Sequence, residues 1–64
     1  MYTIDAYDVD AEQAFTDGSD SRPKAMLKAY RLAKVWPIVE VRNPSDLNPE
    51  NQPIAGWING KRQF

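Results

Sequence analysis

The side chains of this chain that could do chemistry are oxygen donors. Six carboxylates, Asp5, Asp8, Asp10, Glu12, Asp17 and Asp20, fall within the first twenty residues, which hold no Lys or Arg. Asp8, Asp10 and Glu12 alternate as the first ligands of a calcium-binding loop do. Such a loop also needs glycine at its sixth place and a bidentate carboxylate at its twelfth, where this chain has Gln13 and Ser19. General acid–base hydrolysis needs two carboxyl groups opposed across a cleft, which neighbours in one turn do not provide. Cysteine and histidine are absent from all 64 residues, which excludes thiolate nucleophiles, imidazole bases, disulfides and Cys/His zinc sites. These residue types predict a protein with no catalytic residues, no metal and no cofactor, whose work is to bind another molecule.

Collectively the acids can do more, because a negative surface attracts a basic partner such as the nucleic-acid groove of a processing enzyme. The rest of the chain has the opposite balance: residues 21–64 hold all eight bases and three acids, so the net charge of −1 is a cancellation. Lys24, Lys28, Arg31 and Lys34 recur at helical spacing with Leu27 among them, and an apolar contact rimmed by charge is the anatomy of an interface. The same cations, with Arg42, Lys61 and Arg62, could instead track phosphates, which makes a small nucleic-acid binder the alternative. Trp57 beside Arg62 offers a cation–π pair or a stacking edge. A third reading is a structural component of an assembly, built through sheet edges.

The elements that position these residues follow from periodicity. A chain of this length buries only about 60% of its unfolded surface, so residues 1–64 are expected to form one small domain. Tyr2, Ile4 and Ala6 alternate with polar residues as in a half-buried strand, and Gln13–Asp17 reads as its returning partner after a turn at residues 9–12. Asp20 and Ser21 suit a helix N-cap, Pro23 suits the first turn, and the helix is expected to run to about Trp36, before Pro37. At about 100° per residue, Ala25, Met26, Ala29, Tyr30, Leu32, Ala33 and Trp36 form its core arc. Residues 38–42 alternate as a third strand, with either Val39 and Val41 or Ile38 turned to the helix. The proline- and asparagine-rich stretch 43–53 reads as a loop, and residues 54–58 as a fourth strand. Asn59-Gly60 predicts a type I′ turn that pairs Ile58 with Lys61, Trp57 with Arg62 and Ala55 with Phe64. The expected fold class is α+β: a single helix packed on a small antiparallel sheet, in the order β-β-α-β-β with a short fifth strand possible.

Residues 54–62, with Trp57 and the run Asn59-Gly60-Lys61-Arg62, resemble the end of a recognition helix in Cro-like repressors. That family needs two short helices upstream, which Pro44, Pro49 and Pro53 leave no room for. In size, layout and composition the whole chain resembles the small α+β host-takeover proteins of tailed bacteriophages, such as their short inhibitors of bacterial RNA polymerase. The resemblance implies a stoichiometric modulator of a host protein, acting in the host cytoplasm. No apolar run approaches the roughly 18 residues of a membrane span, and the acidic start lacks a signal peptide's basic and apolar stretches, which also predicts a cytoplasmic protein without membrane partners.

Overall fold

Alternation and turn chemistry lay out a sheet, and the proline-started helix crosses one of its faces. The computed structural model describes residues 1–10, 12–44 and 50–64. Its elements are β1 (Tyr2–Tyr7), β2 (Gln13–Ser19), α1 (Arg22–Leu32), β3 (Ile38–Arg42), β4 (Pro53–Ile58) and β5 (Lys61–Arg62). The expected α+β plan is present, with the short fifth strand formed. All pairings are antiparallel and the strand order is β2-β1-β3-β4-β5, so β1 lies between β2 and β3. Residues 45–49, within the stretch expected to be a loop, and Ala11 of the first turn lie outside the described residues.

Register decides what the helix covers. Ile4 stands opposite Val41, which stands opposite Ala55; Ala6 stands opposite Val39, which stands opposite Trp57. These two rows cross the three central strands, and all six residues are buried. Of the two orientations open for the third strand, Val39 and Val41 face the core. Above the rows lie Ala25, Ala29 and Ala33, spaced four apart on one side of α1 and also buried. Tyr2, Met26, Leu32, Trp36 and Ile54 pack around this centre and are only partly covered.

The helix ends four residues before Trp36. Pro37 forces its predecessor out of the α region, and the chain tightens beforehand: Lys34 N–H donates to the Arg31 carbonyl, while those of Val35 and Trp36 both reach Leu32 O. Tyr30, expected in the core arc, is 51% exposed. The alanine line at 25, 29 and 33 points at the sheet, and Tyr30 falls about 100° away from it. Asn59 and Gly60 have φ of 52° and 82°, as the expected type I′ turn requires, and Ile58–Lys61 and Trp57–Arg62 pair across it. Phe64 departs from the expected pairing. The strand stops at Arg62, Gln63 N–H donates to Gly56 O, and the Phe64 ring lies over the open face at Gly56, where a Cβ would sit 3.0 Å from it.

Ala29 is fully buried where α1 packs on the sheet, so Ala29→Leu is expected to destabilise the protein by about 1–3 kcal/mol through overpacking. Leu27→Ala on the opposite side should stay within about 0.5 kcal/mol. Urea unfolding followed by circular dichroism compares the two.

Candidate functional site

Because Ala25, Ala29 and the C-cap Ala33 face the sheet, the helix turn places Lys24, Leu27 and Arg31 on the far side, flanked by Tyr30 and, just past the helix end, Lys34. Leu27 is 48% exposed. Lys24 and Arg31 are also exposed, and their charged ends have no partner among the described residues. Lys34 lies over the Tyr30 ring, Nζ to centroid 4.7 Å, and so holds the aromatic side chain at the rim of this face. Lys28 is drawn off toward β2. Its Nζ is 3.2 Å from Asp17 Oδ2 and donates to Gly18 O at 3.1 Å. What remains outward is a strip of cations around two apolar side chains, Leu27 and Tyr30.

The six acids of the first twenty residues do not gather. Strand alternation sends Asp5 to the face away from the helix, while Asp17, opposite Ile4 in the pairing, lies on the helix side. The turn with Asp8, Asp10 and Glu12 follows Tyr7 at one end of the sheet, and Asp20 follows Ser19 at the other. Asp8 Oδ1 accepts the Asp10 N–H at 3.0 Å, an Asx turn that shapes its own loop. The Asp17 carboxyl is held below its usual value of 3.8, first by the Gly18 N–H donating to it and then by Lys28. Among the described residues no group of three or more His, Cys, Asp or Glu could hold a metal ion.

Asp5 is the centre of a network that the sequence did not reveal. Its Oδ1 accepts from Gln13 Nε2 at 2.6 Å and from Thr16 Oγ1 at 2.8 Å, and its Oδ2 is 3.3 Å from Arg42 Nη1. Arg42 Nη2 is 2.9 Å from Glu40 Oε1, Nη1 also reaches the Tyr7 hydroxyl, and Nε donates to Asn51 O. Burial works to lower the Arg42 pKa, but the hydrogen bonds and charges of Glu40 and Tyr7 outweigh it and the net shift is upward. Arg42 therefore stays charged throughout and is committed to structure. The only sequence signal for this was the i, i+2 spacing of Glu40 and Arg42, which puts both on one face of a strand.

Trp57 and Arg62 meet as the hairpin register requires, Arg62 Cζ lying 5.6 Å from the ring centroid. The ring is buried in the core, so the edge contact is made within the chain, and Arg62 Nε also donates to Phe64 O. Trp36, partly buried, packs at the margin of the core. No helix among the described residues is long and apolar enough to cross a membrane. Compared with protein-family models, with curated proteins and with solved structures, the chain matches none.

Two outcomes follow for these charges. Asp5→Ala leaves Gln13 and Thr16 without their acceptor, removes one of the two partners of Arg42 Nη1, and is expected to cost about 1–3 kcal/mol of unfolding free energy, read from urea titrations. A depressed carboxyl pKa stabilises the fold above the unfolded value of 3.8, and that contribution is lost as pH falls through the folded value. Asp17→Asn should accordingly lower stability at neutral pH yet show a shallower loss on acidification below 3.8, measured as urea midpoints at each pH.

Proposed function

We propose that this chain is a non-enzymatic protein-binding module that docks an acidic surface of its partner through the outer face of α1. The observation that carries the reading is the exposure of Leu27 amid Lys24, Arg31, Lys34 and Tyr30, cations on one rigid helix face around an apolar centre. The helix rests on its alanine line, and Leu27 is not among the side chains packed against the core. The absence of cysteine and histidine removes the commonest nucleophiles and bases, which favours binding over catalysis. The resemblance of layout to phage-encoded inhibitors favours a host protein as the partner, modulated by stoichiometric binding.

Of the bases a nucleic-acid reading would use, Arg42 is engaged by Asp5 and Glu40, and Arg62 by Trp57 and Phe64 O. Lys24, Arg31 and Lys34 surround an apolar patch that a phosphate backbone would leave unused, which favours a protein partner.

The test compares wild type with Leu27→Asp and Arg31→Glu as immobilised baits in nuclease-treated bacterial lysate. One stoichiometric acidic protein should be retained by wild type, weakened by raised salt, and lost with either substitution. Retention that ignores both substitutions would overturn the assignment of the surface. Binding of duplex DNA that survives Leu27→Asp, with a steep salt dependence, would overturn the partner class in favour of nucleic acid.

A further inference from the structure

Val9 and Val35 are 81% and 76% exposed, and they come from different turns: Val9 from the β1–β2 connection, Val35 from the turn between α1 and β3. Turns favour Gly, Asn, Asp, Ser and Pro, so two exposed β-branched apolar residues answer no local need. Both line one open groove of about 590 Å³, with Trp36 and Pro37 among its apolar walls and the Asn59-Gly60 turn along one side. Hydrogen bonds fix the turns around the groove, and Ala33 and Trp36 tie it to the core. Asn59 N–H donates to Pro37 O at 2.8 Å, the N–H groups of Val35 and Trp36 both reach Leu32 O, and Asp8 N–H donates to Glu12 O at 3.1 Å across the turn that carries Val9.

The charges beside the groove differ in sign from one side to the other. Strand order sets the β1–β2 turn, in which Asp8, Asp10 and Glu12 surround Val9, on one side of the start of β3, and the β4–β5 turn, with Lys61 directly after Gly60, on the other, while Lys34 is the charged residue of the lining itself. A partner of one sign would gain at one wall and be repelled at the other. A second copy related by a two-fold axis would not: the acidic turn of each chain meets the basic side of the other, twice, with apolar surface between them. A net charge of −1 adds almost no long-range repulsion against that approach. We infer that this groove is an isologous interface, and that the protein associates with a second copy of itself through Val9, Val35 and the oppositely charged walls. The inference goes beyond the docking reading, because the groove lies past the C-terminal end of α1 and leaves Lys24, Leu27 and Arg31 free on each copy.

Sedimentation equilibrium over a range of concentrations tests it. Wild type should dimerise, Val35→Asp and Val9→Asp should each sediment as monomers, and Leu27→Asp should dimerise like wild type. Circular dichroism identifies any variant that fails to fold, and the two valines, on separate turns, back each other up. The charge arrangement is tested with Asp10→Lys/Glu12→Lys and Lys34→Glu/Lys61→Glu. Each double variant alone should be monomeric, and an equimolar mixture should recover a dimer, since in the mixed pair both contacts join opposite signs. A wild-type monomer at every attainable concentration would overturn the inference, as would a dimer that survives both valine substitutions, or a mixture that stays monomeric. Lys34 borders both surfaces, so the two readings are told apart by Leu27 and Arg31, on which the bait experiment depends and which the groove does not include.

Discussion

The constraint on which the rest of this molecule depends is the approach of α1 to the sheet through alanine alone. Ala25, Ala29 and Ala33 stand between the helix and the two rows Ile4–Val41–Ala55 and Ala6–Val39–Trp57, so little more than β-carbons separates the layers along that line. The largest fully buried side chains are only Ile4, Val39 and Val41. Bulkier residues of the helix cannot enter the seam, so Met26, Leu32 and Trp36 pack along its margins, and Leu27 and Tyr30 are left facing outward.

The sheet face that no helix covers is stabilised differently. Antiparallel register sets Asp5 directly opposite Glu40, two like charges that would repel. Arg42, two residues after Glu40 and on the same face, answers both, one guanidinium arm to each carboxylate, while Gln13 and Thr16 from β2 take the remaining Asp5 oxygen. The network therefore joins the three strands β2, β1 and β3, and every buried side-chain polar atom among the described residues has a partner. It also fills that end of the open face with committed polar groups. Apolar side chains also lie on this face near Gly56, where Phe64 lies across it beside Ile38 and Ile58.

Much of the fold could be read from local signals because local chemistry creates it. The alternation of residues 2–6 and 38–42, Pro23 in the first helical turn and the positive-φ demand of Asn59-Gly60 each act within a few residues, and each appears where it was expected. Strand order could not be read, since placing β3 beside β1 rests on matching Ile4 with Val41 and Ala6 with Val39 across more than thirty residues of chain. The hydrophobic arc of the helix was too generous. It gave Tyr30 the same standing as Ala29, although only the alanine line fits the sheet. The acids were misleading for a related reason: nearness in sequence suggested one surface, but the period of two and the reversal at residues 8–12 distribute them over both faces and both ends.

That distribution changes what the net charge means. Arg42 offsets one of the two charges of Asp5 and Glu40, and Lys28 offsets that of Asp17, so together these groups add a single negative charge to the outside field. Among the described residues, the acids that stay outward lie mainly in the β1–β2 turn, and the cations mainly along the outer helix and the β4–β5 turn. The charge split of the sequence thus survives in reduced form, as an acidic turn and a basic helix strip at defined places on a rigid scaffold. Near the end of α1 these two regions come together, with Val9, Val35 and Lys34 lining the same groove. Farther along the helix only the basic strip remains, around Leu27. One stretch of surface is therefore self-complementary in sign and the other is complementary to acid. The two interactions proposed for this chain, with a second copy and with an acidic partner, thus fall on neighbouring stretches of surface.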